Sequence, residues 1–71
     1  MKRWYYIRLE TPTTASIIPV LGDLTEARRQ AYLVDASWEH VWIRCNGRTV
    51  DTIRTPSDRA HRWIRTKVGA P

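Results

Sequence analysis

The sequence predicts an α+β fold: a small, mainly antiparallel sheet of three or four strands, one helix packed on it, and a C-terminal amphipathic basic helix. Three observations support this prediction. Two regions alternate apolar and polar residues with a period of two, which is typical of strands. A segment between them has apolar residues at helical spacing behind a capping residue. The length of 71 residues indicates a single domain over residues 1–71.

The first predicted element is a strand over residues 4–11, WYYIRLET. One face of this strand is apolar and carries Tyr5, Ile7 and Leu9. The segment SIIPVL, residues 16–21, predicts a second short strand. Pro19 has no N–H to donate to a neighbouring strand, so we expect this second strand at an edge of the sheet.

The predicted helix lies within GDLTEARRQAYLVDA, residues 22–36. Asp23 is expected to cap its first turn, and Glu26, three residues later, is expected to reach back and complete a capping box. The apolar face has helical spacing and consists of Leu24, Ala27, Ala31 and Val34. The opposite, solvent-facing side carries Thr25, Arg28, Arg29 and Gln30.

The dipeptide Asn46-Gly47 separates the alternating segments WEHVWIRC and RTVDTIRT and predicts a hairpin. Both central residues of a type I′ turn need a positive φ, which these two residue types tolerate. Two registers stay open. A two-residue loop places Trp42 opposite Asp51, whereas a three-residue loop with a bulge pairs Trp42 with Val50. Val50 and Ile53 cannot share one face of a regular strand, so neither register places both side chains on the same face of the sheet.

A second helix is predicted after Thr55, Pro56 and Asp58, which stand in the order of cap, first helical residue and capping-box carboxylate. Its apolar stripe is Ala60, Trp63, Ile64 and Val68. Three cations recur every third residue and project from one side, forming a cationic ridge of Arg59, Arg62 and Arg65. The ridge is interpreted either as a surface for a polyanion or as an ordinary solvated helix face.

The sheet face opposite the first helix is predicted to combine aromatic and basic side chains. They are Trp4, Tyr6 and Arg8 from the first strand and His40, Trp42 and Arg44 from the strand before the turn. Unpaired bases stack on such rings while arginines neutralise phosphates. The competing interpretation is that the C-terminal helix packs Trp63 and Ile64 on this face, which then becomes a second small core.

Charge and cysteine content narrow the class of protein. The net charge of +5 favours nucleic acid, an anionic membrane surface or an acidic protein as partner. The single cysteine, Cys45, excludes an intramolecular disulfide and is typical of a reducing cytoplasm. The chain has no apolar stretch of the length that spans a membrane. We therefore expect a cytoplasmic monomer or homodimer without a membrane partner.

The sequence contains no Gly-rich phosphate loop, no spaced pair of carboxylates and no nucleophile with a histidine and an orienting acid. His61 lies close to Asp58 and Arg62, but a surface histidine on a basic helix is the commoner state. We therefore expect no enzymatic activity, no catalytic residue, no metal and no cofactor.

In size, basicity and order of elements, the chain resembles small basic phage-encoded anti-defence proteins, among them anti-CRISPR proteins. The resemblance covers a strand, a helix represented here by LTEARRQA and a hairpin represented by VWIRCNGRTV, over roughly residues 4–54. It implies a non-enzymatic protein that docks on a host nucleoprotein complex in a bacterial cell. No signature residue is shared, so no functional residue is carried over.

The expected function is that of a small basic binding protein for nucleic acid or for a nucleic-acid-handling host complex. The predicted binding residues are Arg59, Arg62, Arg65, Lys67, Arg44, Trp42, Arg8 and Tyr6. The alternative is a protein–protein interaction module, or a homodimer, that occupies an acidic surface of a host enzyme without touching nucleic acid. The tryptophan, tyrosine and arginine content suits this alternative equally, since those residues dominate interface hot spots.

Overall fold

The computed structural model describes residues 2–56, which form a four-stranded antiparallel sheet with one helix on one face. The elements in chain order are β1 (Arg3–Glu10), β2 (Ala15–Gly22), α1 (Leu24–Tyr32), β3 (His40–Cys45) and β4 (Arg48–Arg54). In space the strand order is β2-β1-β3-β4. The predicted α+β class is confirmed for this part of the chain, and the sheet has four strands.

The predicted C-terminal helix lies outside the described residues. The same is true of the cationic ridge of Arg59, Arg62 and Arg65, and of Lys67. Their role as binding residues, and the alternative that this helix packs on the sheet, therefore stay predictions.

The core lies between α1 and the sheet. Every second side chain of β1 and β3 faces the helix and is buried, namely Tyr5, Ile7, Leu9, Val41, Ile43 and Cys45. From the helix side, Ala27 and Ala31 are fully buried. Small alanines at these two positions let the helix backbone approach the sheet closely. The predicted period of two along β1 and β3 thus accounts for most of the core.

Strand β2 is an edge strand, as Pro19 predicts. It runs antiparallel to β1, with Pro19 opposite Tyr6, and no strand of residues 2–56 pairs with its outer side. A proline fits an edge strand when its ring nitrogen points away from the neighbouring strand, because no ladder hydrogen bond is then lost. The strand is longer than predicted, at 8 residues.

Helix α1 begins with half of the predicted capping box. The Asp23 carboxylate accepts a hydrogen bond of 2.8 Å from the backbone N–H of Glu26, as predicted. The Glu26 side chain does not reach back, and this part of the prediction is wrong. Its carboxylate instead accepts hydrogen bonds from the side chains of Arg29, at 2.8 and 3.1 Å, and Gln30, at 3.1 Å. A hydrogen bond from a charged guanidinium is stronger than one from a neutral amide. This explains why the Glu26 carboxylate binds the Arg29 side chain and not the backbone N–H of the cap residue.

The helix also ends earlier than its predicted apolar face. Tyr32 is its last residue, so Val34 lies beyond it and packs against the core from the following segment. The Arg54 guanidinium ties this segment to β4. It donates to the carbonyl oxygens of Val34, Asp35 and Trp38 at 3.1, 2.8 and 3.0 Å.

The β3–β4 hairpin has the predicted two-residue turn, and the register predicted for it holds only for the two pairs next to the turn, Cys45–Arg48 and Arg44–Thr49. Asn46 and Gly47 have φ values of 54° and 75°, and Cys45 lies opposite Arg48. Two irregularities then shift the ladder, so that Trp42 lies opposite Thr52 and not opposite Asp51 or Val50. The residues of β4 that are left out of the pairing are Val50 and Ile53.

Contacts on the helix side explain these shifts. Asp51 accepts a hydrogen bond of 2.6 Å from Nε of Arg28 on α1, while Ile53 packs against the core. Arg54 also turns to this side, towards the carbonyls of the segment after the helix. A regular strand alternates its faces and could not direct Ile53 and Arg54, which are consecutive, to the same side.

Candidate functional site

The sheet face opposite α1 is called here the open face, because no helix or strand of residues 2–56 covers it. It carries the side chains that alternate with the core, among them Trp4, Tyr6, Arg8, Trp42 and Arg44. The predicted orientation of β1 and β3 is therefore confirmed. Trp4 is 52% exposed and Tyr6 is 41% exposed, which is high for aromatic side chains of this size.

The register between β1 and β3 places aromatic and basic residues directly opposite each other. Tyr6 lies opposite Arg44, and Arg8 lies opposite Trp42. Opposite residues on one face of an antiparallel pair are the closest cross-strand neighbours. The open face therefore has two adjacent pairs of an aromatic ring and a guanidinium.

Trp42 is the less accessible ring of these two pairs. Its ring stacks on His40, with 3.9 Å between the centroids and 28° between the planes. The guanidinium carbon of Arg8 lies 5.7 Å from the Trp42 centroid, within the range of a cation–π contact. Trp42 is half-buried, so its ring mainly contacts His40 and Arg8 and leaves little surface for a ligand.

The open face becomes acidic towards the end of β1. Glu10 lies opposite His40, and its Oε1 atom is 3.7 Å from Nδ1 of the imidazole. The pair is a salt bridge only when His40 is protonated. An anionic ligand on this face is therefore favoured near Arg8 and Arg44 and disfavoured near Glu10.

A shallow depression, called here the arginine hollow, lies between β1, β2 and the β3–β4 turn. It has a volume of about 710 Å³, comparable with that of small-molecule sites. Three arginines and two aromatic residues line it, namely Arg3, Arg8, Arg44, Trp4 and Tyr6. Within residues 2–56, none of its lining residues is acidic. The hollow can thus receive an anion beside a flat ring.

Arg44 is held in place at the rim of the hollow. Its Nη2 atom donates to the carbonyl oxygen of Gly47 at 2.5 Å, and its Nη1 atom donates to Oγ1 of Thr49 at 3.2 Å. A guanidinium has five N–H donors, so these two bonds leave others for a ligand. Because its position is already restrained, Arg44 would lose less side-chain entropy than an unrestrained arginine on binding an anion.

Three carboxylates with a lowered pKa belong to the scaffold on the helix side. The hydrogen bond from Arg28 lowers the pKa of Asp51, and the hydrogen bond from the Arg29 side chain lowers the pKa of Glu26. The backbone N–H of Ser37 lowers the pKa of Asp35. These groups hold α1 and the connections around it, and none of them lines the arginine hollow.

Four of the predicted binding residues come together on the open face: Tyr6, Arg8, Trp42 and Arg44. Sequence reasoning placed Trp4 on this face without selecting it as a binding residue, and it did not single out Arg3. The alternation along β1 already places Trp4 beside Tyr6 and was a usable signal for it. No comparable signal existed for Arg3, because its position at the hollow depends on how the hairpin turn and β2 meet β1.

Two further findings concern other kinds of site. Among residues 2–56, no group of three or more His, Cys, Asp or Glu side chains is placed to hold a metal ion. The same part of the chain has no helix that is both long and apolar enough to cross a membrane.

Comparison with protein-family models, curated proteins and solved structures finds no match to the chain.

Proposed function

We propose that this protein is a non-enzymatic binding protein that holds unpaired nucleic acid on its open face. Bases stack on Trp4 and Tyr6, and phosphates contact Arg3, Arg8 and Arg44. The observation that carries the proposal is the arginine hollow, in which exposed rings and guanidinium groups lie side by side and, within residues 2–56, no lining residue is acidic.

The exposed rings favour unpaired strands over duplexes. A base that stacks on a side chain must present its flat face, which is hidden inside a duplex. Each stacked base contributes about 1–3 kcal/mol and does so with little dependence on sequence, because every base has such a face. The two exposed rings, Trp4 and Tyr6, therefore provide affinity for a single strand that a duplex cannot use.

The arginines supply the sequence-independent part of the affinity. A guanidinium that meets a phosphate releases counterions, so affinity should fall as salt concentration rises. Arg59, Arg62, Arg65 and Lys67 are proposed to contact phosphates further along the strand; the support for this is their spacing in the sequence.

Fluorescence anisotropy with labelled single-stranded RNA, single-stranded DNA and duplex DNA tests this function. Each is titrated at about 50 and about 200 mM salt, the range over which several phosphate contacts cost orders of magnitude in affinity. We expect the two single strands to bind more tightly than the duplex at both salt concentrations. Equal binding of all three would contradict stacking, and no binding at low salt would contradict the whole proposal.

Two matched variants separate the open face from the rest of the surface. Tyr6→Ala removes a ring from the open face, whereas Tyr32→Ala removes an exposed ring from α1 on the other side of the molecule. Only the first should weaken single-strand binding, by roughly tenfold if one base loses its stacking partner. Equal losses would show that the open face has no special role.

A protein partner is the second candidate function. In this form the chain is a protein–protein interaction module that occupies an acidic surface of a host enzyme without touching nucleic acid. The observation that favours it is the exposure of Leu33 (78%) next to Tyr32 (65%) at the end of α1, because an aliphatic side chain offers a base no ring to stack on but can be buried in a protein interface. A pull-down from nuclease-treated bacterial lysate tests it, and loss of every partner after nuclease treatment would count against it.

A further inference from the structure

We propose that the arginine hollow holds two consecutive nucleotides of an unpaired strand, with one base stacked on Trp4 and the next on Tyr6. This inference rests on the proposed function and adds the number of bases that the folded sheet can hold. It is carried by the spacing of the two exposed rings, by the position of Arg44 and by the residues beyond Tyr6 on β1.

The spacing of the rings matches that of a strand into which aromatic rings are inserted. Trp4 and Tyr6 are adjacent on one face of β1, which separates them by about 6.6–6.8 Å along the strand. Stacked bases are about 3.4 Å apart, so a ring inserted between two bases separates them by about 6.8 Å. The spacing of Trp4 and Tyr6 along β1 therefore equals the spacing of two bases that have an aromatic ring between them. One base can stack on each ring while both chains keep their ordinary spacing.

Arg44 is placed to bind the phosphate that joins these two nucleotides. It lies directly opposite Tyr6 on β3 and lines the same hollow. Its hydrogen bonds to Gly47 and Thr49 keep the guanidinium beside the turn, at the rim of the hollow. The linking phosphate would thus meet a cation that is already held at the rim of the hollow.

The next positions along β1 do not continue this pattern. After Tyr6 comes Arg8, and the ring opposite Arg8 is Trp42, which already stacks on His40. The following position is Glu10, whose carboxylate repels a phosphate. A third nucleotide would find Arg8 for its phosphate but no freely exposed ring for its base, so the stacking site should end after two bases.

The test keeps the phosphates constant and varies the number of bases. Single strands of one fixed length carry abasic positions throughout, except for one, two, three or four consecutive bases, and each displaces a labelled strand from the full chain. We expect the second base to raise affinity by about tenfold and the third and fourth to add less than about twofold each. A second base without effect, or a third and fourth that each add as much as the second, would overturn the two-base site.

The same series distinguishes this inference from the proposed function. If a fully abasic strand binds as tightly as one with every base, stacking itself fails and the proposed function fails with it. Tyr6→Ala should move the plateau from two bases to one, whereas Tyr32→Ala, on the opposite side of the molecule, should leave it at two. A plateau that stays at two bases in Tyr6→Ala would overturn the assignment of the second base to this ring.

Discussion

Tyr6 and Arg44 lie directly opposite each other on the open face, one ring and one guanidinium on neighbouring antiparallel strands. The core-facing neighbours of both residues are buried, so the two strands cannot slip relative to each other without exposing the core. The burial of Ile7 and Ile43 on the far side of the sheet thus determines which ring meets which cation. The fold therefore sets which ring and which cation lie side by side at this position.

Replacing Arg44 with alanine should weaken nucleic-acid binding about equally for all base sequences. It should also reduce the slope of log affinity against log salt concentration by about one unit, because one phosphate contact is lost. Arg29→Ala is the matched control, since it removes the same charge from the helix side. Titrations at several salt concentrations measure both slopes. A similar change of slope in the control would mean that net charge alone is responsible.

Replacing Glu10 with glutamine should strengthen binding at low salt. Removal of a negative charge from the open face reduces the repulsion of phosphate, by an amount equivalent to about twofold or more in affinity. The effect should diminish as salt screens the charge. Glu26→Gln makes the same change of charge on α1 and should have a smaller effect on the measured dissociation constant. Equal gains in affinity for the two variants would show that Glu10 does not lie close to the bound nucleic acid.

Replacing Asp51 with asparagine should remove part of the acid sensitivity of folding. The hydrogen bond from Arg28 lowers the pKa of Asp51 in the folded state, so this carboxylate contributes stability above its unfolded pKa. That contribution is lost as pH falls below about 4 and through the lower folded pKa. The variant should therefore be less stable than the parent at neutral pH and approach it in acid. Urea unfolding midpoints over this pH range measure the difference, and a gap that widens in acid would contradict it.

Replacing Asp23 with alanine should destabilise the fold by about 1 kcal/mol, the usual contribution of an N-cap. The carboxylate accepts the N–H of Glu26, which otherwise has no helical partner. Asn is an equally good cap, so Asp23→Asn should retain most of the stability. Thermal unfolding followed by circular dichroism measures both. A loss of equal size in the two variants would assign the effect to charge and not to capping.

Replacing Pro19 with valine should increase self-association. Valine provides the N–H that proline lacks, so the outer edge of β2 gains a donor beside the exposed Ile17 and Leu21. Multi-angle light scattering at increasing concentration should show a higher mean mass than for the parent chain. Pro12→Val, in the β1–β2 connection, is the matched control and should leave the mass unchanged. No difference between the two variants would show that Pro19 does not protect this edge.

Local signals in the sequence were sufficient where one residue acts on its near neighbours. The alternation around Ile7 and Ile43 predicts the core face of two strands, Asp23 predicts the start of the helix, and Asn46-Gly47 predicts the turn. In each case the signal itself spans only a few residues along the chain. The edge position of β2 follows similarly from the chemistry of Pro19 alone.

The register of β4 could not be predicted, because its determinants are far apart in sequence. Asp51 pairs with Arg28, 23 residues away, and Arg54 binds carbonyls 16 to 20 residues away. These contacts shift Trp42 to a position opposite Thr52, and none of them is visible as a spacing. The arginine hollow could not be predicted for the same reason. Arg3 and the hairpin turn are far apart in sequence and line one depression only after the strands have paired.

The Asn46-Gly47 turn also provides a chemical route by which the charge of the hollow would change. In an Asn-Gly sequence, the backbone nitrogen of glycine attacks the asparagine side-chain carbonyl, ammonia leaves, and hydrolysis of the cyclic imide produces aspartate or isoaspartate. Asn46 lines the arginine hollow, close to Arg44. Chemical ageing of the turn would therefore introduce a carboxylate into a basic site and, in the isoaspartate form, lengthen the backbone at the tip of the hairpin. Samples of different age would carry different charges in the hollow.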